Sequence, residues 1–151
     1  MKFTYQLTGS GWAVATIANG QTEMKVPASY LCDALRAFVD AVQSLFVTDN
    51  AECLWEEEPG EVRWEFRRNG SRVSVKVQWH DDRAGLTGDD DLLHFSAEVD
   101  RELDGLLATW GEQEYLKKWR YPFPHEAHSK LKQGIEREKE HRKMAKSQDH
   151  C

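Results

Sequence analysis

The chain has 151 residues, of which 30% are charged, and its formal net charge at pH 7 is −6. This length corresponds to one domain that buries roughly two thirds of its unfolded surface. Residues 1–124 carry a net charge of −8 and residues 125–151 carry +2. An acidic body of this kind argues against nucleic-acid binding, which requires a basic stripe.

Cysteine spacing and hydropathy indicate a cytoplasmic protein. Cys32, Cys53 and Cys151 are widely spaced and contain no Cys-x-x-Cys pair, so neither a disulfide framework nor a zinc knuckle is encoded. The first residues lack the apolar run of a signal peptide, and no window approaches the roughly eighteen apolar residues of a membrane span. We therefore expect no membrane partner.

The first segment alternates between apolar and polar side chains and contains two turn signals. A three-residue loop at residues 9–11 pairs Leu7 with Ala13, and the Asn-Gly pair at residues 19–20 predicts a type I′ turn that pairs Ala13 with Val26. The two turns assign the same side chains to one face, which favours this register. The predicted core face consists of Phe3, Tyr5, Leu7, Ala13, Ala15, Ile17, Met24 and Val26.

An amphipathic helix is predicted after this sheet, over roughly residues 29–46, because apolar residues recur at steps of three and four. Ser29 is the expected N-cap residue, since its hydroxyl accepts a hydrogen bond from a free N–H of the first turn. Asp33 is expected to face solvent. The apolar stripe consists of Leu31, Leu35, Phe38, Val42 and Leu45.

A second three-stranded unit follows the helix. The Asn-Gly pair at residues 69–70 predicts a hairpin in which Trp64 lies opposite Val75. The preceding hairpin places Glu56 opposite Arg63, and opposite charges across a sheet are stabilising. The chain is therefore predicted to be an α+β protein of two antiparallel three-stranded β units (βββ-α-βββ), packed by helices and followed by C-terminal helices.

Residues 81–91 are predicted to form a loop, because they contain two glycines and five aspartates. The apolar residues that follow, Leu92, Leu93 and Phe95, are predicted to form a short seventh strand or a segment that enters the next helix.

Two further helical segments are predicted near the C-terminus. An apolar stripe that ends at Gly111 indicates a helix, which resumes as a shorter one over residues 112–119. Residues 126–146 are helix-forming but contain few apolar residues, so we expect a solvated helix. The predicted organisation is a single α+β domain at 1–124 and a charged, partly frayed helical tail at 125–151.

Acidic turns and one surface tryptophan are the candidate binding site. Carboxylates concentrated in two turns attract a basic protein surface and speed its association. The alternative is a solvated rim that only keeps the protein soluble, with an aromatic residue that covers the sheet. The candidate partner-binding residues are Trp12, Glu56, Glu57, Glu58, Asp81, Asp82, Asp89, Asp90 and Asp91.

A small hydrolase or metal-dependent enzyme is the alternative function, because His80 and nearby carboxylates are the groups used in general acid–base catalysis. The contiguous aspartates at residues 89–91 lack the alternating ligands and closing glutamate of a calcium loop. His125 and His128 are three residues apart, whereas the zinc-protease pattern requires four. We therefore expect no catalytic residue, no metal ligand and no cofactor.

Four segments resemble those of small uncharacterised bacterial proteins that are frequent in actinobacteria. They are Leu-Thr-Gly-Ser-Gly-Trp-Ala at 7–13, Ser-Tyr-Leu-Cys-Asp-Ala-Leu at 29–35, Glu-Pro-Gly with Arg-Trp at 58–64, and Trp-x-x-Pro-Phe-Pro at 119–124. The resemblance covers most of residues 3–124. It implies a shared fold and a bacterial origin, but it transfers no activity and no functional residue.

The size and acidity of the chain are also similar, in a general way, to those of immunity proteins, which neutralise a partner toxin. The favoured hypothesis is a non-catalytic protein-binding domain, of the immunity type, that inhibits a partner with a basic surface.

Overall fold

The computed structural model describes residues 1–81 and 85–148. Within them the chain is an α+β protein with two antiparallel sheets and three helices, as the sequence predicts. The elements are β1 (Lys2–Gly9), β2 (Trp12–Ala18), β3 (Glu23–Ser29), α1 (Ala34–Ser44), β4 (Asn50–Glu56), β5 (Glu61–Asn69), β6 (Arg72–Trp79), β7 (Leu86–Asp91), α2 (Leu92–Trp119) and α3 (His125–Gln148).

The first sheet has the order β1-β2-β3, and the second has four strands in the order β4-β5-β6-β7. Strand β7 lies within the segment that the sequence predicted to be a loop. Leu92 begins α2, which confirms the second predicted alternative, a segment that enters the next helix. Contiguous aspartates disfavour a strand. Here the edge of β6 supplies their backbone partners, and Asp90 and Asp91 find cationic partners.

The predicted core face of the first sheet is confirmed. Of the two predicted strand registers, only the one between β1 and β2 is confirmed. Leu7 lies opposite Ala13 as expected, whereas Ala13 lies opposite Ala28 instead of Val26. The side chain of Asn19 accepts hydrogen bonds from the backbone N–H groups of the two residues that follow Gly20, which widens the turn. Because the shift is two residues, the same side chains still face the core.

The hairpins of the second sheet show the same kind of shift. Trp64 lies opposite Val77 and not Val75, because Gly70, with φ of 61°, is the first central residue of the turn. The predicted pair of Glu56 and Arg63 is also wrong: Glu56 lies opposite Glu61 and Arg63 lies opposite Leu54.

Helix α1 begins later than predicted. Asp33 is its N-cap residue, and its carboxylate accepts a hydrogen bond from the Arg36 N–H at 3.4 Å. Ser29 instead ends β3 and is buried, and Leu31 is 55% exposed. The prediction failed because the apolar spacing continues through a connecting segment whose backbone is not helical.

The core lies where α1 meets both sheets. Phe38 stacks on Phe3 of β1 with 4.6 Å between ring centroids, and its ring meets the edge of Trp64 in β5 at 4.9 Å. Trp55 of β4 contacts the same ring at 5.8 Å. One helix residue thus joins the two sheets into a single aromatic core.

The C-terminal helices pack on this body. Helix α2 is interrupted at Gly111 (φ 71°, ψ 169°), where the sequence predicted a break. In α3, Leu131 and Ile135 are buried, and a Cβ atom at Gly134 would overlap the ring of Phe46. The expectation of a solvated tail is therefore wrong for this part of the helix.

Two arginines connect α3 to the second sheet. Arg68 donates two hydrogen bonds to Glu138, at 3.0 and 3.2 Å, and both side chains are largely buried. Arg142 donates to both carboxylate oxygens of Asp91, at 3.1 and 2.9 Å. These charge-assisted bonds help to attach α3 to the second sheet. The small number of apolar residues in α3 does not predict this attachment.

No helix in the described ranges is long and apolar enough to span a membrane.

Replacing Trp64, which is fully buried, with alanine is expected to lower the free energy of unfolding by about 3–5 kcal/mol. Arg63→Ala on the opposite face of the same strand is the matched control, and its expected cost is below about 1 kcal/mol. Chemical denaturation measures both values. Small, equal losses at the two positions would contradict the assignment of strand faces.

Glu138→Ala is expected to lower the free energy of unfolding by about 1–3 kcal/mol, because it leaves the Arg68 guanidinium largely buried without its carboxylate. Glu140→Ala, at a position whose side chain is 70% exposed, is the control and is expected to have no measurable effect. If Glu138→Ala unfolds at the same denaturant concentration as the control, α3 is not held by this pair.

Candidate functional site

Carboxylates from two separate segments meet at one end of the second sheet. Glu56 and Glu61 lie opposite each other where β4 and β5 are joined, and Glu57 and Glu58 form the turn between them. The N–H of His80 donates to the Glu61 carbonyl at 3.1 Å, which brings the end of β6 alongside. We call this group the acidic end; it comprises Glu56, Glu57, Glu58, Glu61 and Asp81.

The members of the acidic end differ in exposure. Glu58, Glu61 and Asp81 are exposed, and Glu56 is half-buried. Glu57 accepts a hydrogen bond from the indole Nε1 of Trp79 at 2.8 Å. Because Trp79 is only 7% exposed, this bond anchors the turn to the core of the sheet.

The other predicted acidic residues lie at the opposite end of the sheet. Asp89 lies opposite Ser74 near the start of β6, and only Asp89 among the three contiguous aspartates is exposed. Asp90 accepts hydrogen bonds from the amino group of Met1 and from His94. The predicted residues therefore do not form one surface, and Asp82 lies outside the described residues.

Asp91 has a structural role in the described structure. Its carboxylate accepts hydrogen bonds from the backbone N–H groups of Leu93 and His94, at 2.9 and 3.2 Å, and so caps α2. Burial alone would raise the pKa of Asp91. The hydrogen bonds from Arg142 and from these N–H groups outweigh burial, and the pKa is lowered.

Trp12 lies in β2, the central strand of the first sheet, opposite Ser29. Its side chain is half-buried on the face away from the core. It belongs to neither of the two segments that form the acidic end.

His80 lines a shallow groove of about 230 Å³ on the outer face of the second sheet. Its ring makes no hydrogen bond or ion pair with any carboxylate among the described residues. The described residues therefore do not show the approach of His80 to two carboxylates that would favour the alternative hydrolase. The residues that line the groove are Leu54, Glu61, Arg63, Gln78, Trp79 and His80.

A cluster that sequence reasoning missed joins α2 to α3. The ring of His128, which is 6% exposed, lies 2.7 Å from Asp100 and 3.6 Å from Asp104. These three side chains are placed as metal ligands could be. Lys132, however, binds the same two carboxylates at 2.8 and 3.2 Å, so Asp100 and Asp104 already have a cationic partner.

His125 and His128, which the sequence places three residues apart, bind different carboxylates. The ring of His125 is bonded to Glu112, whereas His128 faces Asp100. Asp100 and Asp104 are four residues apart, a spacing that places both side chains on one face of a helix. The sequence does not predict that His128 is their partner, because the packing of α3 on α2 decides this.

Comparisons with protein-family models, with curated proteins and with solved structures found no match for this chain. The resemblance to uncharacterised bacterial proteins therefore stays an expectation, and no functional residue is assigned by similarity.

The lowered pKa of Asp91 predicts a specific loss of stability in acid. Its carboxylate stabilises the fold above its unfolded pKa of 3.8, and this contribution disappears as the pH falls through the lower pKa of the folded state. Asp91→Asn keeps a capping oxygen but removes the charge. The difference in unfolding free energy between the wild type and this variant should be constant near neutral pH and shrink below pH 3.8.

Denaturant titrations across this pH range measure the difference. Asp89→Asn, an exposed position on the same strand, controls for the loss of one charge. A difference for Asp91→Asn that does not change with pH would show that Arg142 adds no electrostatic stabilisation.

Proposed function

We propose that this protein is a non-catalytic, cytoplasmic protein-binding domain whose acidic end docks on a basic surface of another protein. The observation that carries the proposal is the convergence of four glutamates and Asp81, from two separate segments, at one end of the second sheet.

The electrostatics of this arrangement favour association. Residues 1–124 carry a net charge of −8, and an exposed group of carboxylates on such a body attracts cations from beyond contact distance. Surface charges are screened over about 8 Å at physiological ionic strength. The acidic end should therefore speed encounter with a basic partner, and this effect should weaken with salt.

The anchored turn adds a second argument. The hydrogen bond from Trp79 to Glu57 anchors the turn that carries Glu58 and leads into Glu61. A backbone segment that is already ordered loses little conformational entropy when a partner binds.

Inhibition of a partner toxin, as performed by immunity proteins, is the specific form of binding that we favour. A small acidic domain fits this role because it needs only to cover a basic surface of its target. The support is the size and charge of the chain. A hydrolase has no comparable support, because the His80 ring has no hydrogen-bonded carboxylate in the described ranges.

The test uses a partner captured from the native host at low salt and then purified. The Glu58→Lys/Glu61→Lys variant is expected to lower the association rate constant on the order of tenfold at low salt. The difference from wild type should diminish as salt is added. Stopped-flow or surface-based kinetics measure both effects.

Glu23→Lys/Glu140→Lys is the matched control, because Glu23 is exposed at the start of β3 in the other sheet and the side chain of Glu140 in α3 is 70% exposed. It makes the same change in net charge as Glu58→Lys/Glu61→Lys and should lower the rate much less. If both variants slow association equally, or if neither does, the acidic end is not the docking surface. Failure to capture a salt-sensitive partner would also contradict the proposal.

A further inference from the structure

Three exposed apolar side chains lie on two segments that meet near the acidic end. Tyr30 and Leu31 follow β3 and are 42% and 55% exposed, and Leu54 in β4 is 47% exposed. The Sγ atom of Cys32 lies 3.7 Å from the Leu54 carbonyl oxygen, so these two segments are in contact. We call Tyr30, Leu31 and Leu54 the apolar patch.

Tyr30 is rigidly held although it is exposed. Its N–H donates to the Gly11 carbonyl at 2.9 Å, and its own carbonyl accepts a hydrogen bond from the Tyr121 hydroxyl at 2.7 Å. Its ring lies against Gly11, where a Cβ atom would be 2.6 Å from the ring, and the Arg120 guanidinium lies 5.6 Å from the ring centroid. An exposed aromatic ring that is ordered in advance loses little entropy on binding.

Carboxylates border the patch on one side. Glu56 is two residues beyond Leu54 and so lies on the same face of β4, with Glu61 opposite it. Burial is the main cause that raises the pKa of the Cys32 thiol, and the nearby carboxylates of Glu56, Asp33 and Glu61 also contribute to this increase. Carboxylates therefore lie near the junction between the two segments, whereas Arg63 lies opposite Leu54 and Arg120 lies beside the Tyr30 ring.

We infer that the apolar patch is the centre of a protein-docking surface whose charged rim is the acidic end. The partner presents apolar side chains flanked by lysine or arginine. This inference rests on the proposed function and adds the apolar part of the footprint. An apolar centre with a polar rim is the usual composition of a protein interface, and aromatic side chains dominate its binding energy.

The contact is made by side chains and not by adding a strand to β4. The Leu54 carbonyl is already approached by the Cys32 thiol, and the Asn50 carbonyl accepts a hydrogen bond from the Thr48 hydroxyl at 3.2 Å. The backbone of this edge strand is therefore partly covered.

A second copy of the chain fits the surface poorly. A twofold axis at Leu54 would place Glu52 of one copy against Glu56 of the other, and like charges in such positions repel. A cationic partner is complementary to the same residues.

The probe is a short soluble peptide in which two leucines lie among lysines. The reference is a peptide of equal length and charge with serine in place of each leucine. We expect wild-type protein to bind the leucine peptide about tenfold more tightly than the serine peptide. Calorimetric titration at constant salt measures both dissociation constants.

Three variants separate the apolar and charged contributions. Leu31→Thr/Leu54→Thr should abolish the preference for leucine, whereas Val47→Thr, at a residue that is 78% exposed elsewhere, should retain it. Glu58→Lys/Glu61→Lys should weaken binding of both peptides. Thermal melting confirms that each variant is folded.

The outcomes distinguish this inference from the proposed function. Equal affinity of the wild type for the two peptides, or a preference that survives Leu31→Thr/Leu54→Thr, overturns the apolar patch. Binding that still responds to Glu58→Lys/Glu61→Lys leaves the acidic end in place. Binding that is indifferent to the charge reversals counts against the proposed function itself.

Discussion

The packing of Phe38 between the two sheets is the contact on which the rest of the structure depends. Its ring stacks on Phe3 of the first sheet and meets the edge of Trp64 in the second, so one helix residue shares its buried surface with both. Burial of an aromatic side chain is a large favourable term. The position of α1 also determines where the chain crosses from β3 to β4. The first residues of that crossing are Tyr30 and Leu31 of the apolar patch, and the next residue, Cys32, contacts the Leu54 carbonyl.

The surface charges of this protein serve two different purposes. Asp90 and Asp91 are bound by an amino group, a histidine and an arginine, and they hold β7, α2 and α3 together. Glu58 and Glu61 lie exposed at the far end of the same sheet. Net charge alone does not separate these roles, because it counts a carboxylate in an internal ion pair and one that faces solvent equally. For this reason the proposed docking surface is centred on the β4–β5 turn.

The sequence correctly predicts which side chains of the strands face the core, but it does not predict every strand register correctly. The alternation of β1, β2 and β5 correctly predicts that Tyr5, Ala15 and Trp64 are buried. The registers that rest on Asn-Gly pairs are wrong by two residues, because the Asn19 side chain widens one turn and Gly70 is the first central residue of the other. A shift of two residues preserves every face. Errors in register therefore left the core prediction intact but changed which charged side chains are neighbours.

The sequence by itself determined the α+β class, the buried faces of the strands and the break at Gly111, since these follow from local periodicity and backbone preference. Only the tertiary structure decided that residues 86–91 form a strand, that α3 packs on the body, and that the acidic residues separate into two groups. These features depend on partners far along the chain. The edge of β6 pairs with β7, and Arg68 and Asp91 bind α3. Local spacing carries no information about such contacts, because it does not specify which surfaces meet.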